Sequence, residues 1–358
     1  MKSKISELFP DPFEEGSAAR LHRDIHVLGA RIRFESNSEE LLRLVDSAYA
    51  GLPRHELSPI VPQLRVRLVL TSPERKRAGA APAALQMMSG AGLLAGATAA
   101  SNFVAVSVHE RGALVVVSPR MLRFPYHTRY ELIEFAVFTL AARAQRLVAM
   151  HGACVGRAGT GVLLMGPTGA GKSTLTLQCL LEGLEILAED SVFVTPDTLL
   201  ASGVSNFLHV RADSLRWIAA RRTAAKIRQS PVIRRRSGVR KYEIDLRAGK
   251  YPLAERPLKI GAIVFLSSQS ASSRRSASSQ SAARPPLLKP LLRKEALPML
   301  VHEQAYAANQ PPWAAFVRSV KRLPFFEMRR GEHPSEAVAA LRELIEPPSR
   351  VIRRWRQA

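Results

Sequence analysis

Gly166-Pro167-Thr168-Gly169-Ala170-Gly171-Lys172-Ser173 fits the pattern G-x-x-x-x-G-K-[ST] in full. Upstream lies an apolar run, Gly161-Val162-Leu163-Leu164-Met165. Downstream, Thr174 to Leu181 reads as a helix, and Gly183 stands where a C′ glycine would stop it. Strand, glycine loop and helix, in that order, are what a phosphate-cradling loop requires. Glycines let backbone amides turn inward and approach phosphate oxygens closely. The helix adds the positive end of its dipole. On this reading Gly166, Pro167, Thr168, Gly169, Ala170, Gly171, Lys172, Ser173 and Thr174 bind a nucleotide. The Lys172 ammonium faces the β- and γ-phosphates, and the Ser173 hydroxyl ligates Mg²⁺. The alternative is a chance glycine loop in a strand–helix turn, and the complete spelling in the complete setting speaks against it.

Past the helix, Leu184 to Ala188 reads as the next strand, and Glu189-Asp190 stands at its end. An acid at that place is where a loop of this kind holds its magnesium. Two adjacent acids can divide the work, one near the metal and one taking a proton from an acceptor hydroxyl. The plainer alternative is a solvated turn. His151 precedes two short apolar runs, Ala153-Cys154-Val155 and Val162 to Met165, with a glycine-rich turn over 156–161 between them. It is either a structural histidine or a hydrogen-bonding or cationic group near the γ-phosphate or the acceptor.

The chain has 358 residues, room for about two domains. It carries 52 Lys plus Arg against 30 Asp plus Glu, a formal net charge of +22. Its hydrophobic share of 46% excludes a wholly disordered chain. Two cysteines, Cys154 and Cys179, exclude a disulfide scaffold and a four-thiolate zinc site; apolar filler is their expected role, in a reducing compartment. No apolar run follows Met1-Lys2-Ser3-Lys4, so a secretory route is not expected and a cytoplasmic location is. Ala78 to Val108 is uncharged, but it is rich in Ala, Gly and Ser and holds Pro82, Gln86 and Asn102. A buried segment leading into a strand is expected there, not a membrane span.

Elsewhere, Gln63 to Leu70 alternates like a half-buried strand, and Phe103 to Val108 and Gly112 to Val117 read as a hairpin. Thr128 with Glu131 three residues on reads as a capping box opening a helix that runs to about Val148. Residues 211–259 hold 15 Lys plus Arg and 4 Asp plus Glu, half of the whole excess charge. Residues 267–286 form a serine-rich, low-complexity stretch expected to be a loop. A strand over Leu323 to Met328 and a helix over Ser335 to Ile345 close the chain.

Taken together, His151-Gly-Ala-Cys-Val155, the loop from Gly161 to Thr174, and Leu187-Ala-Glu-Asp-Ser-Val192 resemble the catalytic domain of HPr kinase/phosphorylase and its HPr kinase-like relatives. The resemblance is tight over about 151–194 and looser at Arg322 to Met328 and Ala337 to Leu341. It implies an α/β protein with a P-loop kinase-like C-terminal domain over 147–346, HPr kinase-like and PEP carboxykinase-like in its core. An α+β N-terminal region over 1–146 precedes it and a basic tail over 347–358 follows. It further implies ATP- and Mg²⁺-dependent phosphorylation of a serine in a protein or peptide acceptor. Lys172 and Ser173 map onto the phosphate and metal groups, His151 onto the active-site histidine and Asp190 onto the metal-binding aspartate. Glu189 maps onto the general base, where the family usually has Asp; a Glu reaches about one bond further, so either acid can serve as base. A homo-oligomer is in keeping with the resemblance.

The chain departs from that family downstream, where Glu-x-Arg and a glycine-rich run are expected. The nearest match is His209-Val210-Arg211, which argues against HPr itself as acceptor and against a phosphorylase back-reaction. Arg211 remains a phosphate contact by position, and Arg240 or Lys241 a contact to phosphate or acceptor by resemblance. The basic stretch has three readings: a surface for an acidic partner, a nucleic-acid patch, or a solvated face. Trp217, Tyr242 and Tyr251 are too scattered for a base-stacking series. Two competing functions stay open, an ATP-binding switch or scaffold that transfers nothing and a nucleic-acid-stimulated ATPase.

Overall fold

The computed structural model describes residues 21–71, 82–99, 101–249, 251–270 and 286–346. The basic tail, most of the serine-rich stretch and residues 78–81 of the uncharged segment lie outside them. Two compact units emerge. Among the described residues the first takes in 21–25, 31–50 and 63–140, and the second 26–30, 51–62 and 141–346.

The first unit is built on seven strands: β1 (Leu21–Val27), β2 (Ala30–Ser36), β3 (Gln63–Leu70), β4 (Gln86–Gly90), β5 (Leu93–Ala99), β6 (Asn102–Ser107) and β7 (Gly112–Val117). Their order is β1-β2-β3-β7-β6-β5-β4. β2, β3 and β7 run parallel, and β7 to β4 continue antiparallel. The alternation read in Gln63 to Leu70 is a real strand, with Leu64, Val66 and Leu68 buried. Helix α1 (Glu39–Tyr49) starts at Ser38, whose hydroxyl accepts from the Leu41 amide, and buries Leu41, Leu42, Val45, Ala48 and Tyr49. Tyr49 stacks on Phe34 of β2 at 5.9 Å.

Two expectations fail in this unit. The uncharged segment is no buried run: β4 and β5 form a hairpin, and all five residues of β4 are exposed at the sheet edge. β4 ends the sheet, and even Met87 and Met88 stay 60% and 64% exposed there. The helix expected from Thr128 begins earlier, at Pro125, because proline's fixed φ suits the first helical position. Helix α2 (Pro125–His127) runs through a π turn, Thr128–Ile133, into α3 (Glu134–Ala144). Thr128 lies inside this run and its hydroxyl donates back to the Met121 carbonyl at 2.8 Å. Glu131 pairs with His127 at 2.9 Å, not with a helix start. The helix stops at Ala144, four residues short of the expected end, and Val148 already belongs to a strand.

The second unit holds β8 (Val148–His151), β9 (Ala153–Arg157), β10 (Thr160–Met165), β11 (Glu185–Ala188), β12 (Ser191–Val194), β13 (Leu200–Gly203), β14 (Phe207–Val210), β15 (Val232–Arg234), β16 (Arg240–Asp245), β17 (Leu258–Ser270), β18 (Leu288–Leu291) and β19 (Phe325–Arg330). Nine of them make a mixed sheet, β11-β9-β10-β17-β13-β12-β8, with β19 and β18 added at β17. β10 is central, antiparallel to β9 and parallel to β17. β17 continues to Ser270, so the serine-rich stretch begins as strand.

Helices cover both faces of this sheet. They are α4 (Lys172–Leu181), α6 (Arg293–Glu303), α7 (Ala305–Ala308), α8 (Trp313–Val320) and α9 (Pro334–Ile345), while α5 (Arg221–Arg228) packs with β14 and β16. Leu163, Met165, Ile263 and Phe265 face α6 and α8 through Leu300, Trp313 and Phe316. Val162, Leu164, Val264 and Leu266 face α4 and α9 through Leu175, Cys179, Val338 and Leu341. Burial on both sides is why β10 reads as an unbroken apolar run. The cysteines fill one cluster each, and burial raises both thiol pKa values. Among the described residues no helix is long and apolar enough to cross a membrane.

Gly152, between β8 and β9, leaves no room for a side chain: an added Cβ would meet the Leu164 carbonyl oxygen at 2.7 Å. Gly152→Ala is expected to cost about 1–3 kcal/mol of stability, measured by urea denaturation, and to shift the neighbouring His151 from its place.

Candidate functional site

The glycine loop joins the C-terminal end of β10 to the N-terminus of α4. Gly171 is the N-cap of that helix at φ 101°, a left-handed angle that favours glycine, and no side chain caps the helix there. Gly166 is pinned differently: a Cβ would meet the Leu266 carbonyl oxygen at 2.8 Å. The Lys172 ammonium lies in the loop and donates to the carbonyls of Gly166 and Pro167. Its pKa is lowered by burial, an effect that Asp190, Glu303 and Glu189 oppose. Thr174 meets the Ser214 hydroxyl at 2.8 Å.

The acidic pair follows β11, and its two members part company. Glu189 is buried, and the Ser173 hydroxyl donates to its Oε1. Asp190 turns outward, with Oδ1 3.3 Å from His151 Nδ1 and Oδ2 3.7 Å from Arg235 Nη1. Strand pairing makes the second contact of the pair to β8: β12, which begins at Ser191, runs antiparallel to β8 and sets Ser191 opposite His151. The Asp190 carbonyl accepts from the Gly152 amide at 3.1 Å. β8 is the sheet's edge strand, and the Gln304 side chain satisfies its end. Gln304 donates to the His151 carbonyl at 2.7 Å and accepts from the His151 amide at 2.8 Å.

Behind Glu189 stands a small sheet of three strands, β14-β16-β15. Side chains alternate across it. Leu208, Val210, Ile244 and Leu246 pack on Leu177 and Leu180 of α4. On the other face His209 lies between two carboxylates, 3.5 Å from Glu189 Oε2 and 3.0 Å from Glu243 Oε1. Burial disfavours a charge on either partner, but the contacts prevail. The Glu189 pKa is lowered by His209, Lys241 and Ser173, and the His209 pKa is raised by Glu189 and Glu243. The result is a buried imidazolium between two carboxylates.

Of the residues singled out in the sequence, the loop, Ser173, Glu189, Asp190, His151 and Lys241 converge. Lys241 shares the Glu243 face of β16, and its charge is disfavoured by burial and favoured by Glu189. Arg240, one residue earlier, lies on the opposite face and is exposed. Arg211 pairs with Asp213 at 3.5 Å and acts on Lys241 through its charge. Sequence reasoning missed Glu243 and Gln304, read Arg235 only as one of the arginines of the basic stretch, and read His209 only as part of an imperfect match. Strand alternation in β14 and β16 marks His209 and Glu243 as facing one way, but only once their pairing is known.

A magnesium ion would find hard oxygen donors here, in the Ser173 hydroxyl and the Glu189 and Asp190 carboxylates. Among the described residues no three His, Cys, Asp or Glu side chains are arranged to hold a metal by themselves.

No protein-family model matches the chain, and no curated protein does. Among solved structures it is similar to the Hpr(Ser) kinase/phosphatase from Coxiella burnetii, with 11% sequence identity and a TM-score of 0.29, over 55% of this chain and 94% of that one. A likeness that weak carries no conclusion about activity. What the fold itself provides is a mixed α/β architecture.

Removing the imidazole would leave Glu189 and Glu243 facing each other across a buried gap. His209→Ala is expected to cost on the order of 3 kcal/mol. The stability gap between wild type and His209→Gln, followed by thermal melting against pH, should be widest between the ordinary Glu value of 4.5 and the ordinary His value of 6.5. It should close in acid, as Glu189 is protonated through its lowered pKa, and in base, as His209 loses its proton. A gap that ignores pH would disprove the charged triad.

Proposed function

We propose that the chain is a P-loop serine kinase of the HPr kinase-like type, moving the ATP γ-phosphoryl group to a serine of a protein or peptide. One observation carries the reading: the glycine loop's Ser173 meets Glu189 while Asp190 stands beside it, facing His151 at the open edge. In this arrangement the loop amides and Lys172 bind the β- and γ-phosphates. Ser173 and Glu189 would hold a Mg²⁺ ion, which when bound would supply charge neutralisation for the transfer.

The geometry supports a division of labour between the acids. Glu189, buried against Ser173 and held as a carboxylate by His209, serves the metal side. Asp190, one-quarter exposed, is the acid an acceptor hydroxyl can reach, and it takes the proton as the phosphoryl group arrives. His151 holds Asp190 from the side, and Gln304 fixes the strand end that carries His151. Positioning and charge neutralisation do the catalysis.

An ATP-binding switch without transfer is the competing reading. Its support is His209, standing where the resembled family has a carboxylate beside the acidic pair.

γ-Thiophosphate transfer from ATP into the proteins of the source cell's lysate tests both. Lys172→Ala should lose nucleotide binding and labelling together. Asp190→Asn should still bind ATP but label at least about 100-fold more slowly. ATP binding by wild type with no labelled serine would leave the switch.

A further inference from the structure

From Ser214 to Tyr242 the chain has ten Lys and Arg and no Asp or Glu. The kinase reading uses almost none of them. Yet the structure does not spread them evenly. β15 and β16 form a hairpin whose turn is closed by the Arg235 amide on the Val239 carbonyl and the Gly238 amide on the Arg235 carbonyl, both at 2.9 Å. The turn brings Arg235 back toward the acidic pair, 3.7 Å from Asp190. Lys241 reaches the same place from the inward face of β16, and Arg211 from the end of β14. Burial disfavours the charge on Lys241, Arg235 and Arg211 add to that effect, and Glu189 and Asp190 oppose it, which puts all three cations in the field of one acidic pair. Arg234, Arg236 and Arg240 stand exposed around them.

We propose that this hairpin face is the acceptor-binding surface, and that the acceptor is an acidic protein or peptide whose serine lies among carboxylates. The inference rests on the kinase reading and adds the substrate class to it. Cations packed this close repel one another, and carboxylates brought by a partner relieve that repulsion. Arg235 is placed to receive one. It stands 3.7 Å from Asp190, and both side chains are about one-quarter exposed, so a carboxylate beside the acceptor hydroxyl would approach the two together. An incoming carboxylate can share the guanidinium while the neighbouring hydroxyl meets Asp190. The surface is a poor fit for nucleic acid, because its aromatic rings are spent. Trp217 has Arg216 over it at 4.7 Å and His333 edge-on at 5.2 Å. Tyr242 and Tyr251 pack against the apolar cluster under the small sheet. No ring is left as a platform for bases.

The test uses the full chain and three fluorescein-labelled pentapeptides, serine flanked on each side by two glutamates, two glutamines or two lysines. Fluorescence anisotropy without nucleotide reads the surface alone; thiophosphate transfer with Mg·ATP reads the chemistry. The glutamate peptide should bind at least about tenfold more tightly than the others, with an affinity that falls as salt rises. Arg235→Glu and Arg211→Glu should each erase the preference. Arg318→Glu, the same charge change at an exposed position of α8, should keep it. Equal binding of all three peptides would overturn the proposal, as would equal loss in the Arg318 variant. So would a single-stranded oligonucleotide that binds more tightly than the glutamate peptide at about 0.15 M salt. Selective binding through Arg235 with no transfer to any peptide would sink the kinase reading and leave the acidic-ligand surface standing.

Discussion

A carboxylate sealed away from water must be compensated, and the second unit is arranged around the compensation of Glu189. Burial alone would drive that group to its neutral form. Ser173 from the glycine loop, His209 from the small sheet and Lys241 from its hairpin keep it charged instead. Each comes from a different element, so one residue binds together the loop, the main sheet and the small sheet. His209 in turn carries its charge because Glu189 and, from the next strand, Glu243 both face it. The triad is a buried ionic network, which adds little stability beyond an apolar core but is costly to break. Its contribution is definition of place, since Ser173, Glu189 and His209 can meet only when loop, main sheet and small sheet are all in register.

The layered sheet explains why the site can be rigid in one half and open in the other. β10 is covered by helices on both faces, so the loop leaving it starts from fixed ground. β8 is an edge strand with backbone groups facing outward, and that edge is where His151 and Asp190 lie. Gln304 closes the strand end with a paired hydrogen bond and leaves the imidazole half-exposed. A phosphate cradle needs fixed amides, and an acceptor needs an approach path. The center and the edge of one sheet supply these separately.

The sequence was most legible where local rules act alone. The loop, its strand and its helix were readable because glycine spacing and the apolar run on β10 report local backbone needs. So were β3, the β6–β7 hairpin and the closing helix, whose periodicities are regular. The start of the α2–α3 helical run was misread because two local signals competed there. Thr128 and Glu131 spell a capping box, but Pro125 had already begun the helix, and Thr128 could satisfy its hydroxyl by bonding backward. The β4–β5 hairpin escaped because small uncharged side chains look buried by composition, although nothing covers an edge strand.

What the sequence concealed was the far side of the acidic pair. Arg211 was singled out for following a degraded motif, and His209 was passed over as the residue that spoiled it. Pairing of β14 with β16 reverses that judgment, because it sets Glu243 opposite His209 and returns a carboxylate to the same corner from thirty-four residues away. A histidine beside Glu189, itself faced by Glu243, gives the buried acid an attractive partner. A site held this way keeps its shape through its own contacts, and the proposed phosphoryl transfer would depend on preorganisation of that kind.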